Sequence, residues 1–190
     1  IVFQNVKRIQ GTSNSKGIRV LKDRDGQMLS DPQAVADTLA KTYAQASSDD
    51  EYPLAFRRIK QRQGSIPPIP EIDHPINCPF SLTELSIALG KCRGRSVGPD
   101  GLSYSMLTHL HLDAKIEMLQ LLNHVWQSRD LPIIWSHAHA IPLLKPNKVS
   151  TDPESYRPIS LTSNLCKLME RLVIRRLNFW IETNDKLDNF

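Results

Sequence analysis

The chain has 190 residues, 24 Lys and Arg against 20 Asp and Glu, a formal charge of +4, and 40% hydrophobic residues. This is enough for one good core, or for one domain with an extension, and so mild a basicity does not by itself announce a polyanionic partner. No apolar stretch approaches the roughly 18 residues of a membrane span and no charged-then-apolar leader is visible. Cys78, Cys92 and Cys166 are widely spaced and form no Cys-x-x-Cys pair, which argues against a disulfide scaffold and for a reduced, intracellular setting, cytoplasmic or nuclear.

Gly17 to Leu29 reads as a small hairpin around Asp23-Arg24-Asp25-Gly26. Asp31 followed by Pro32 opens a helix to about Ala46, with Val35, Leu39 and Tyr43 on one narrow stripe. From Ser47 to Pro79 the chain turns acidic, then basic at Arg57 to Arg62, then rich in proline, and is expected to be an extended linker with little helix. Asp49-Asp50 runs on into Glu51, and Asp185 and Asp188 sit in a polar tail, so neither pair reads as a metal site. Ser81-Leu82-Thr83-Glu84 fits a capping box, and Leu82, Leu85, Ala88 and Leu89 give the helix that follows its apolar face.

That helix delivers the chain to Lys91–Gly101, a basic stretch ending in Gly98-Pro99-Asp100-Gly101. Pro99 makes the turn rigid, and Asp100 is placed to cap a short helix starting near Leu102. Met118, Leu122 and Val125 define an amphipathic helix from about Asp113 to Arg129, and Trp135 reads as an anchor for the approach to the next strand. The last helix runs from about Asn164 to Glu182, with Lys167, Arg171 and Arg175 as a basic stripe beside its buried one.

Between them, Ile141-Pro142-Leu143-Leu144-Lys145 and Tyr156-Arg157-Pro158-Ile159-Ser160-Leu161 read as two buried strands bracketing a polar loop. Lys145, Lys148 and Arg157 gather at that hairpin. The planar fork of arginine and the compact charge of lysine together suit a polyphosphate.

The Gly-Pro-Asp-Gly turn, the Pro-x-x-Trp at Pro132 to Trp135, the strand ending in Lys145 and Tyr156 to Leu161 stand in one order with family-like gaps. In this the chain resembles the reverse transcriptases of non-LTR (LINE-type) retrotransposons, most strongly over residues 81 to 183. The resemblance implies an α+β fold, mostly helical with a short antiparallel fingers hairpin, forming part of a right-hand polymerase. Residues 1–80 would be an upstream extension and Pro-rich linker, and 81–190 the N-terminal fingers part of the polymerase domain. It further implies that Lys145, Arg157 and, more weakly, Lys148 bind the triphosphate of an incoming dNTP. The RNA template would meet Arg93, Arg95, Gly98, Asp100, Gly101, Arg171 and Arg175.

The family's aspartate motifs, which hold two magnesium ions, are expected downstream of Phe190. The chain is therefore expected to hold no catalytic or metal-binding residue and, alone, not to extend a primer. RNA template, DNA primer and dNTP are the expected partners of the parent enzyme. The rival expectations are a non-catalytic nucleic-acid-binding module and a degenerate remnant.

Overall fold

A computed structural model describes residues 18–63 and 75–184. The described residues fall into two compact units, one of 18–63 with Ile141–Ile159 and the other of 75–140 with 160–184. The tip of the later hairpin is grouped with the N-terminal elements. Prolines 67, 68 and 70 and Asp185 and Asp188 lie outside the described residues.

In the first unit β1 (Leu21–Lys22) pairs antiparallel with β2 (Met28–Leu29), placing Leu21 opposite Leu29. The turn between them is built on Asp23, whose Oδ1 accepts from the N–H groups of Asp25 and Gln27, and on Gly26 at φ +85°. Helix α1 (Pro32–Ala46) starts as its sequence dictates, with Asp31 accepting from Ala34 N–H at 2.9 Å and Pro32 in the first turn. Leu21, Val35, Leu39 and Tyr156 form a small core.

Leu54–Gln63 is a helix, α2, where the sequence reading expects an extended linker. Its support is mainly electrostatic and local. Lys60 Nζ meets both oxygens of Asp49 at 2.7 Å, Arg57 donates to the carbonyls of Tyr52 and Asp50, and Lys60 and Arg62 sit in the last turn against the helix dipole. Leu54, Phe56 and Ile59 remain exposed, so no apolar face announces this helix from a distance.

The second unit holds α3 (Leu82–Gly90), α4 (Tyr104–Thr108), α5 (Leu112–Ser128) and α6 (Asn164–Thr183). The capping box at Ser81 and Glu84 is complete. Leu85, Leu122, Leu168 and Leu172 are essentially solvent-free, and Phe80 and Trp135 close the same core. Arg176 reaches from α6 into the segment before α3. It pairs with both oxygens of Glu84 at 2.7 and 2.8 Å, donates to the carbonyls of Ile76, Cys78 and Pro79, and lies 4.2 Å over the Phe80 ring.

The Arg176 guanidinium, with smaller help from the Ser81 N–H and hydroxyl, holds the Glu84 carboxyl at about 2 against an ordinary 4.5. A depressed carboxyl contributes stability that is full above its unfolded value and is lost as pH falls through the folded one. Urea midpoints are therefore expected to fall as pH drops from about 4.5 towards 2. Because the Glu84 side chain is 26% exposed, solvent screening limits its share to about 2 kcal/mol. Glu84→Gln should flatten that part of the profile, and an unchanged acid slope would refute the linkage.

Strands β3 (Ala138–Leu144) and β4 (Tyr156–Thr162) pair as a two-stranded sheet. The expectation of buried strands is not met: Ile141, Leu143 and Ile159 are between 44 and 56% exposed. A two-stranded pair has no second layer to cover both faces. The architecture is thus mixed, mostly helical, with small hairpins, as an α+β reading requires.

Candidate nucleic-acid and nucleotide interface

The β3–β4 connection begins at Lys145, whose N–H donates to Ser155 O at 2.8 Å. A turn then runs to Lys148, whose N–H meets Lys145 O at 3.3 Å. Pro146 at its second position and Asn147 at φ +58° at its third are the residues a type II turn demands. Pro153–Ser155 forms a short 3-10 turn capped by Asp152, which accepts from Glu154 N–H at 3.0 Å. Tyr156 is buried against Leu21, Val35 and Leu39, and its hydroxyl donates to Ser150 O at 2.7 Å. Lys22 N–H also donates to Thr151 O at 2.7 Å. The N-terminal hairpin and α1 thus brace the loop that carries the cations.

Lys145 and Arg157 border one cavity of about 1150 Å³ in this unit, together with Lys22, Lys41 and Tyr43. Lys145 Nζ is steadied by Glu154 O at 2.7 Å. Arg157 is exposed, and among the described residues its guanidinium has no hydrogen-bond or ion-pair partner. Lys148 sits exposed on the turn and does not line the cavity. Five carboxylates, of Asp23, Asp25, Asp37, Asp152 and Glu154, balance the five cations of the wall, which include Arg24. Several are committed elsewhere: Asp23 to its turn, Asp152 to its cap and Asp37 to Gln33, while Arg24 donates to Gln45.

Sequence reasoning missed Tyr43 as a feature of this wall. Its hydroxyl is buried without a hydrogen bond among the described residues, and burial beside Tyr156 pushes its pKa up. In the sequence it is indistinguishable from the rest of the α1 stripe.

In the second unit Gly98-Pro99-Asp100-Gly101 closes with Gly101 N–H to Gly98 O at 3.0 Å, and Gly101 stands at φ +70°. Asp100 does not cap a helix. Its Oδ2 accepts from Ser163 Oγ at 2.5 Å and its Oδ1 from Leu102 N–H at 3.2 Å, while Ser103 caps α4 by accepting from Met106 N–H. A Cβ on Gly98 would lie 2.5 Å from Thr162 O and 2.6 Å from Ser163 N. Asn164, 2% exposed, completes the joint by donating to the carbonyls of Ser96 and Leu102, both at 2.8 Å. The turn is therefore locked onto the end of β4 and the start of α6. The N–H groups of Gly101 and Leu102 are consumed within it, which leaves them none for a phosphate.

Arg93 folds back, its Nη1 donating to Gly90 O and Cys92 O at 2.8 Å, where it caps the carbonyl end of α3. Arg95 is exposed and unpaired among the described residues. Arg171 donates to Lys91 O at 3.3 Å and lies 5.7 Å over the Tyr104 ring. Arg175 is exposed one turn further on.

The magnesium pair expected of a complete polymerase needs converging carboxylates. Among the described residues no three His, Cys, Asp or Glu side chains gather as a metal site, and Asp49 is already paired with Lys60. No helix among the described residues is long and apolar enough to cross a membrane.

The chain is similar to RNA-directed DNA polymerases of transposable elements, and resembles the reverse transcriptases of the non-LTR class in particular. It is 38% identical over 84 residues, 44% of its length, to the Drosophila melanogaster protein named "Probable RNA-directed DNA polymerase from transposon BS", of which it covers 9%. Against the "Retrovirus-related Pol polyprotein from type-1 retrotransposable element R1" of Bradysia coprophila it is 28% identical over 156 residues, covering 81% of the chain and 14% of that protein. To the RNA-directed DNA polymerase from mobile element jockey of D. melanogaster it is 41% identical over 66 residues, 34% of the chain and 7% of the relative. The chain thus spans about a tenth of the length of the curated relatives it matches. No protein-family model matches it.

Proposed function

We propose that the chain supplies part of the fingers of an RNA-directed DNA polymerase, where Lys145 and Arg157 neutralise the triphosphate of an incoming dNTP. The observation that supports this most is the pairing of an anchored lysine with a free arginine on the wall of one cavity. Lys145 is held in place by a backbone carbonyl, so little rotamer freedom remains to be lost on binding. Arg157 offers its whole fork to two phosphate oxygens. A nucleoside triphosphate carries about four negative charges, and cations of this kind share its neutralisation with metal ions supplied elsewhere. Arg95, with the remaining donors of Arg93, is the template-facing group of the second unit, acting through backbone phosphates and without sequence preference.

Titration of the 190-residue chain with a fluorescent dATP tests the first role. Arg157→Ala is expected to weaken binding about tenfold, as loss of one charge-assisted fork requires, while affinity for single-stranded RNA stays within about twofold. An equal fall in both affinities, or a dATP affinity that does not change, rejects the triphosphate role. Arg95→Ala should show the converse pattern and a shallower salt dependence of RNA binding. The chain alone is expected to give no dNTP incorporation on a primed RNA, and detectable extension would overturn that expectation.

A further inference from the structure

Arg171 and Arg175 keep company that a phosphate-binding stripe does not. Both border a trough of about 420 Å³ between α3 and α6, whose other walls are Ile87, Ala88, Lys91, Ile174, Asn178, Phe179 and Glu182. Ile87, Ile174 and Phe179 are 36, 53 and 68% exposed. Positions 171, 174, 175, 178 and 182 follow helical spacing, so this is one continuous face of α6. From Arg171 to Glu182 that face runs about 16 Å, the length of three helical turns.

We infer that this trough is a docking surface for an amphipathic helix of a protein partner, its apolar stripe flanked by acidic side chains. Three observations favour a peptide over a nucleic acid. The aliphatic Ile87 and Ile174 reward apolar burial and offer no ring for a base, which leaves Phe179 as the sole aromatic of the trough. Arg171 already spends a donor on Lys91 O and stacks over Tyr104, so its fork is not free to track a phosphate backbone. Glu182 closes one end with a negative charge, which opposes a continuous polyanion. The same charges specify the partner. Acidic residues meet Lys91 and Arg175, and a basic residue at one end meets Glu182, which fixes the direction in which the helix lies. The side chains of Lys91 and Arg175 have no hydrogen-bond or ion-pair partner among the described residues, so both are available for such pairs.

The test uses the whole chain and a synthetic helix of about 14 residues with leucines at i, i+4, i+7 and i+11, Glu flanking the stripe and Lys at one terminus. Fluorescence anisotropy is expected to show saturable binding that weakens at least about tenfold for the peptide with Lys in place of Glu. Ile174→Glu should abolish binding, and because Ile174 is half exposed the variant should keep its helical circular dichroism. Arg175→Glu should weaken the acidic peptide and improve the basic one, a reversal that damaged folding does not produce. Equal binding of both peptides overturns the proposal. So does binding of single-stranded RNA that depends on Arg175 and not on Ile174, which would return this face to the template. Neither outcome touches the dATP measurement, because Lys145 and Arg157 lie in the other unit.

Discussion

Gly98→Ala is expected to destabilise the second unit by on the order of 3 kcal/mol, at the upper end of what overpacking costs. The added Cβ would sit 2.5 Å from Thr162 O, and the obstacle is backbone on both sides of the contact. Neither the turn nor the strand end can rotate a side chain out of the way. The loss should show as a lower urea midpoint in tryptophan fluorescence, which reports this unit alone since Trp126, Trp135 and Trp180 all lie in it. Gly90→Ala is the control. Nothing lies within 4 Å of a Cβ there and φ is not positive, so the change should be neutral or stabilise by up to about 1 kcal/mol. A Gly98→Ala midpoint equal to that of Gly90→Ala would show that the joint between the turn and α6 yields easily.

Arg176→Ala should cost about 3 to 5 kcal/mol, the range for removing one partner of a largely buried ion pair. The side chain is 13% exposed, and its loss leaves the Glu84 carboxylate with Ser81 as its remaining donor and takes a donor from the carbonyls of Ile76 and Pro79. Those carbonyls belong to the segment leading into α3, so the variant should also raise amide exchange over residues 75–81. Arg176→Lys is expected to recover little, because an ammonium reaches neither both Glu84 oxygens nor the Phe80 face in the same way. Full recovery by lysine would mean that charge alone matters and that the fork geometry does not.

Features fixed within a few residues were legible in the sequence. Asp31 and Pro32, the Ser81 capping box and the Asp23 to Gly26 turn form as read, because each depends on side chains bonding to backbone nearby. Lys145 and Arg157 converge for a related reason: a hairpin brings its two ends together whatever surrounds it. What depends on distant chain was not legible. Nothing near Gly98 says that the backbone of Thr162 will press on it, and nothing near Asp100 names Ser163 as its partner, 63 residues away. The basic stripe on α6 was visible, but the isoleucine of α3 that lies beside it was not, since the two helices meet across some 80 residues, as the Lys91–Arg171 contact shows. Helix α2 was hidden for a different reason. It buries little, so its sequence carries charge pairs where an apolar period would have given it away.

The brace of the cationic loop has a consequence for synthesis. Leu21, Val35 and Leu39 have Tyr156 as their core partner, and Lys22 donates to Thr151. At about 5 to 20 residues per second, a ribosome that has released Leu39 needs roughly 6 to 23 s to make Tyr156. For that interval the N-terminal hairpin and α1 hold an unfinished core, while most of the second unit's sequence emerges between them. The loop that carries Lys145 and Arg157 is thus completed late, by closure of a long-range contact, and its assembly is the step most exposed to misfolding.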